Sequence, residues 1–305
     1  MDSRALIGTD WELMLDMRVP GPGDPEADDL YWRIYPPALQ VGRMGYRVMT
    51  VEAGPIKEVM VYPIWGRSWA NTARASRKNV TPERMARANA AAAVKKFTRL
   101  INANFGPRDQ HVTLTYAGEA PDWQTAHRDM QNFIRRMQRQ RRRKGLPDAG
   151  YVYVLEDSDG YTQKRIHIHL VTHGGLSREE IEACWKKGRT NADRLQPDGE
   201  WLTGLAKYML KTNRADRLDS EENGRRRWYA SKGLKKPKTR VNDSKLSRRR
   251  VVDLAEQLPV VWPELTQKAY PGYQTIEEPE VWRSERVPGV FVRWVMRRTD
   301  GRAEP

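Results

Sequence analysis

The heptapeptide Arg165–Val171, Arg-Ile-His-Ile-His-Leu-Val, constrains the fold more than any other part of the chain. In an extended backbone successive side chains point to opposite faces, so Ile168 and Leu170 face one way and His167 and His169 the other. One side must meet a core and the other stays polar, which predicts a sheet strand covered on its apolar side. His111–Tyr116 (HVTLTY) has the same period, with Val112, Leu114 and Tyr116 alternating with polar residues. Tyr151–Glu156 (YVYVLE) is a third strand. The turn-forming DSDGYTQK joins it to Arg165–Val171 as a β-hairpin.

Helical spacing fills the gaps. Trp123, Ala126, Met130, Phe133, Ile134 and Met137 recur along one face of a long amphipathic helix. Ser177 with Glu180 forms a capping box that opens a short helix carrying Ile181, Cys184 and Trp185. Trp201–Thr212 is a further helix. Between about residues 110 and 213 the expected order is strand, helix, strand, strand, helix, a possible strand, helix. The fold class expected is α+β: a central antiparallel sheet with helices packed on one face, plus N- and C-terminal extensions.

Outside this block the signals are sparser. Residues 1–40 are irregular, and PGPGDPEADD at 20–29 is an acidic loop. Tyr46–Trp65 is read as two strands around a Gly54-Pro55 turn, and a basic stretch follows at Arg67–Lys78. Thr81-Pro82-Glu83 is a helix start, with Val94, Phe97, Leu100 and Ile101 on one face and an end near Asn104. VVDLAEQLPVVW is helical in pattern and VFVRWVMR (290–297) is strand-like. Three regions follow: 1–75, an extension with a hairpin; 76–250, the main domain, with a basic segment at 224–250; and 251–305, a C-terminal extension.

Charge narrows the function. The 305 residues carry a net charge of +15, and 39% are hydrophobic, enough for a core. Phe133–Lys144 holds seven basic residues and no acid, and Gly224–Arg250 holds twelve with one acid, Asp243. These two clusters exceed the net charge of the whole chain, so the remainder is slightly acidic. Arg and Lys at this density, interleaved with aromatics, point to nucleic-acid phosphates. The candidate DNA contacts are Arg135, Arg136, Arg139, Arg142, Lys207, Arg226, Arg227, Lys232, Lys235 and Lys236. Trp228 and Tyr229 are candidate base-stacking residues, and Tyr151 and Tyr153 on the sheet are others. No apolar run reaches membrane-spanning length and no signal peptide is evident, so a cytoplasmic, membrane-free setting is expected. One cysteine, Cys184, excludes an internal disulfide and a CxxC metal site. No GxxxxGK[ST] is present, so no ATPase phosphate loop is expected.

Two histidines on one strand face can approach one cation. Glu156, at the end of the paired strand, can add a carboxylate oxygen. Two imidazoles and a carboxylate leave open positions on the ion, which suits Mg²⁺ or Mn²⁺ acting on a phosphate. His173 shares the parity of His167 and His169 and is an alternative ligand, although Gly174-Gly175 follows it directly. On the helix WLTGLAKYMLKT, Leu202, Leu205, Ala206, Met209 and Leu210 form the apolar stripe. Tyr208 falls on the polar side, with Gly204 one turn earlier and Lys211 three residues later. A tyrosine oxygen whose charge is matched is a competent nucleophile. Tyr229-Ala230-Ser231-Lys232 repeats the Tyr-x-x-Lys spacing without an apolar stripe.

HVTLTY, RIHIHLV and KYMLK, in this order, resemble the HUH endonuclease superfamily. Within it they are most similar to the single-tyrosine rolling-circle replication initiators of bacterial plasmids, phages and mobile elements. The resemblance covers roughly residues 75–245 and implies an HUH/RRM-like palm. It also implies His167 and His169 as ligands of a divalent cation, Glu156 as a third ligand, Tyr208 as nucleophile and Lys211 as its helper. The implied reaction is nicking and joining of single-stranded DNA at an origin, in a hairpin, leaving a 3′-OH and a 5′-phosphotyrosine. A separate helicase and polymerase would act with it in the bacterial cytoplasm. The order, with tyrosine after the histidines, departs from conjugative relaxases. The i±4 neighbours of Tyr208 are Gly204 and Thr212, so a second tyrosine of a Tyr-x-x-x-Tyr pair is absent. A single-tyrosine HUH transposase and a non-catalytic nucleic-acid-binding sheet domain are the competing expectations. A histidine-triad hydrolase is disfavoured by Val171 at the next alternating position.

Overall fold

The structure, a computed structural model, describes residues 44–65, 82–119, 121–158, 163–210, 228–283 and 289–299. It is α+β, with two antiparallel sheets in two compact units. One unit spans residues 96–236; the other combines residues 1–95 with 237–305.

The second of these units is built on a hairpin, β1 (Met44–Ala53) and β2 (Ile56–Trp65), closed by Gly54-Pro55 with Gly54 at φ 59°. The left-handed conformation suits a residue without Cβ. β8 (Lys238–Asn242) pairs with β1, and β11 (Val290–Arg298) pairs with β2, β10 (Glu280–Arg283) and β9 (Tyr273–Thr275). Helix α5 (Arg248–Ala269) buries Val251, Ala255 and Leu258 against Val48, Val59, Val61 and Val292 of this sheet. Val261 has non-helical angles, so α5 is kinked there. Pro263, two residues on, supplies no N–H to the helical ladder.

The unit of residues 96–236 contains the expected element order. After the end of α1 (Pro82–Asn104) come β3 (Gln110–Thr115), α2 (Trp123–Arg143), β4 (Tyr151–Ser158) and β5 (Gln163–Thr172). Then follow α3 (Arg178–Cys184), β6 (Thr190–Arg194), α4 (Thr203–Leu210) and β7 (Tyr229–Ala230). The strand order is β6-β3-β5-β4-β7, all antiparallel, with β5 in the centre. The apolar face carries Val112, Leu114, Tyr153, Leu155, Ile168 and Leu170. It packs against Ala126, Met130, Phe133, Ile134 and Met137 of α2 and Ile181 and Cys184 of α3. Asp122 caps α2 by accepting from Thr125 N at 2.7 Å, and the Ser177/Glu180 capping box is formed.

Helix lies on the other face of this sheet too, in addition to the expected layer. The sequence pattern starts α4 at Trp201; the structure starts it at Thr203. Trp201 is left-handed (φ 62°), and it forms a tight turn with Asp198. Asn102 of α1 holds the start of α4: its Oδ1 accepts from Leu202 N at 3.3 Å and its Nδ2 donates to Thr203 Oγ1 at 3.0 Å. Trp201 Nε1 donates to the Phe105 carbonyl at 3.0 Å. Among the described residues no helix is long and apolar enough to cross a membrane.

Candidate active site

Alternation along β3, β4 and β5 puts His111, Thr113, His167, His169 and Glu156 on the face opposite α2. Thr113 and Val154 flank His169 in the ladder, and Thr115 and Glu156 flank His167. His169 is the centre of the arrangement and is 5% exposed. Its Nε2 lies 3.0 Å from Glu156 Oε2. Its Nδ1 lies 3.3 Å from His111 Nε2 and 3.4 Å from Thr113 Oγ1. The His111 and His169 rings are stacked, 5.5 Å apart and 11° from parallel. Tyr208 meets the same imidazole edge-on, with 5.7 Å between centroids and 79° between planes.

Tyr208 reaches His169 because α4 buries Leu202, Ala206, Met209 and Leu210 and turns its polar side outward. The tyrosine is 56% exposed, so its ring touches the site while remaining open to a ligand. Gly204 does not make room for the phenol: the nearest atom to a Cβ placed there would be Asp198 Oδ2, at 3.5 Å. Lys207, exposed, lies 3.5 Å from Glu200. Lys211, Arg226 and Arg227 lie outside the described residues.

Glu156 and His169 fit two adjacent positions on a divalent cation. Oxygen and nitrogen ligands at right angles on Mg²⁺ sit about 3 Å apart, the separation found here. His167 stands on the same face across from Glu156. Among the described residues, however, no three His, Cys, Asp or Glu side chains converge as an ion-holding group. His173 is elsewhere: its Nδ1 accepts from Gly150 N at 3.0 Å, its Nε2 is 3.3 Å from the Asn104 carbonyl, and its ring packs on Phe105. The rival tyrosine, Tyr229, is stacked on Tyr153 and packed on His127, on the α2 face of the sheet.

The basic residues divide. Arg136 donates to the Cys184 carbonyl at 2.7 Å, and Arg142 forms a bidentate pair with Asp148. Arg135 and Arg139 are exposed on the solvent side of α2 and so lie on the face away from Tyr208. Lys232, Lys235 and Lys236 are exposed; the backbone at Lys235 is held by Asn104 through paired hydrogen bonds of 2.7 and 2.9 Å. Trp228 packs on Phe97 at 5.5 Å.

His111 is a site residue that the sequence reading passes over. Its position in HVTLTY, in phase with Thr113, is the available signal. Burial, and then repulsion from His169, push its pKa down to about 4, with Asp193 opposing. The unfolded chain therefore takes up this proton near the usual histidine value of 6.5, before the folded protein does. The contribution of neutral His111 to stability is present above pH 6.5 and is lost as pH falls toward 4. The expected loss is about 2 kcal/mol between about pH 7 and pH 5. Melting curves in EDTA should show a larger fall in Tm over this interval for the wild type than for His111→Gln. Equal falls would remove His111 as the cause.

Residues 109–213 match a family model of replication-associated proteins, the ORF2 type. Neither the comparison with curated proteins nor that with solved structures finds a match. The matched segment runs from the strand that carries His111 through the helix that carries Tyr208, and so contains His167, His169 and Glu156 as well. The part of the chain that builds this site is thus that of a replication-associated protein of the ORF2 type.

Proposed function

We propose that this replication initiator nicks and rejoins single-stranded DNA at an origin, with Tyr208 as the nucleophile. The observation that carries the reading is the edge-on contact of an exposed Tyr208 with an imidazole that also holds Glu156. Tyr208 Oη attacks the scissile phosphorus and gives up its proton to solvent. The P–O3′ bond breaks, the 3′-oxygen takes a proton, and the 5′-phosphate remains esterified to tyrosine. One phosphodiester replaces another, so the reverse step joins strands without ATP.

His169 and Glu156 are the side chains that would hold Mg²⁺ or Mn²⁺, with His167 as the next donor on the same face. Such an ion supplies Lewis-acid polarisation of the phosphate. The chain's own contribution is to orient. His111 and Thr113 fix the rotation of the His169 ring from its Nδ1 side, leaving Nε2 toward Glu156. Lys211 is the proposed helper of Tyr208. Lys207, Lys232, Lys235 and Lys236 are the proposed backbone contacts. An origin hairpin, a separate helicase and polymerase, and a bacterial cytoplasmic setting complete the reading.

The test combines purified protein with end-labelled single-stranded DNA carrying the hairpins of its replicon, with Mn²⁺, Mg²⁺ or EDTA. An SDS-stable adduct that needs the metal supports the reading. Salt-sensitive binding without cleavage on the correct origin favours the non-catalytic alternative. Titration calorimetry with Mn²⁺ gives a readout independent of cleavage. His169→Ala and Glu156→Gln should each weaken Mn²⁺ binding by about 10- to 100-fold. Unchanged binding in both would remove the ion from these residues.

A further inference from the structure

Residues four apart on a helix form a ridge, and on α2 one such ridge is Trp123, His127, Gln131, Arg135 and Arg139. It begins in aromatics. The Trp123 and His127 rings are stacked, 5.4 Å apart and 12° from parallel. Tyr229 of β7 lies 4.5 Å from His127 and is stacked 5.0 Å from Tyr153. Trp123, His127 and Tyr229 are all only partly buried, at the β7 edge of the sheet.

The ridge ends in cations. Arg128, Arg135, Arg139 and Arg143 are exposed. The helix contains one acid, Asp129, which is 8% exposed and bound by Tyr116 at 3.3 Å and Lys187 at 3.5 Å. The solvent side of α2 therefore presents positive charge without a compensating carboxylate, over about 22 Å from Arg128 to Arg143. Arg136, Arg141 and Arg142, by contrast, are tied to protein acceptors.

We propose that this ridge is a second DNA-binding surface, on the sheet face away from Tyr208, and that it takes single-stranded DNA. Bases stack at the Trp123–His127–Tyr229 end and phosphates run along Arg135 and Arg139. A flat aromatic platform next to a cationic stripe suits unpaired bases, since a duplex keeps its base faces covered. The proposal deepens the reading of this protein as a single-strand nickase by giving the strand a holding site separate from the cutting site.

The test is fluorescence anisotropy with a labelled oligothymidylate of about 20 nucleotides, in EDTA so that no cleavage occurs. The double variant Arg135→Glu/Arg139→Glu should raise Kd at least about tenfold and reduce the slope of log K against log salt by about 1.4, two single-strand phosphates. Trp123→Ala should raise Kd about fivefold or more, and Trp123→Phe should restore most of it. Both arginines are exposed, so thermal melting should match the wild type and exclude unfolding. Unchanged Kd and slope in the double variant would overturn the proposal. So would a loss confined to a duplex of equal length. The outcome is independent of nicking: weakened oligothymidylate binding in a protein that never forms an adduct would keep this surface and remove the nickase.

Discussion

Tyr208→Phe is expected to abolish the covalent protein–DNA adduct while leaving the fold intact. The substitution removes one oxygen. Tyr208 is 56% exposed, and its hydroxyl has no hydrogen-bond partner among the described residues. Surface changes of this kind shift stability by no more than about 0.5 kcal/mol. Phenylalanine keeps the ring, so the edge-on contact with His169 and the packing of α4 survive. What disappears is the only atom able to form the ester bond. Loss of a nucleophile costs on the order of 10³-fold or more, because neighbouring groups cannot substitute for the missing bond. A denaturing gel with labelled origin DNA reads the result, and mass spectrometry of the wild-type adduct locates the modified tyrosine. An adduct that persists in Tyr208→Phe, or one mapped to Tyr229, sinks the assignment. The geometry already separates the two tyrosines, since Tyr229 faces α2 and Tyr208 faces the histidines.

Period is what makes this site legible. Strict alternation in 111–116, 151–156 and 165–171 identifies the three strands and places His167 and His169 together, because a face is a local property of an extended chain. The Ser177/Glu180 capping box is equally local, and it forms as the spacing predicts. Register is not local. Thr113 lies opposite His169, with His111 stacked on it, because β3 and β5 pair in one of several possible alignments. No residue in HVTLTY announces which. The join between β2 and β11 is hidden for the same reason: Met60 and Arg293 are partners across most of the chain. The start of α4 depends on a left-handed Trp201 and on Asn102 reaching across from α1, and neither leaves a sequence signature. The arginine cluster is legible only in part. Charge density marks Phe133–Lys144 as one patch, whereas helical phase divides it. Arg141 is four residues from Met137 and seven from Ile134, both buried, so it belongs to the inward side. Arg135 and Arg139 fall on the outward side.

That phase leads to the largest stability effect expected from this cluster. Arg141 is 4% exposed and its guanidinium is spent on main-chain acceptors. Nε donates to the Pro147 carbonyl at 2.8 Å, and Nη1 donates to the carbonyls of Gly174 at 2.7 Å and His173 at 3.3 Å. Burial pulls its pKa below the usual arginine value, with Asp148 and Asp109 opposing. It thus ties the loop after α2 to the end of β5, the strand that carries His167 and His169. Arg141→Ala leaves these carbonyls without their donor and opens a cavity where the side chain packed. A loss of about 3–5 kcal/mol follows, since unpaired buried polar groups cost more than their hydrogen bonds contributed. For a unit of this size that corresponds to a Tm lower by about 10 °C. Arg139→Ala, exposed and two residues away, should move Tm by no more than about 2 °C. Arg141→Lys should recover only part of the loss, because an ammonium on a flexible stem cannot hold the forked geometry of a guanidinium. If Arg141→Ala melts with Arg139→Ala, the guanidinium is not what joins these segments, and the orientation of the histidine strand must be set by the α2 core alone.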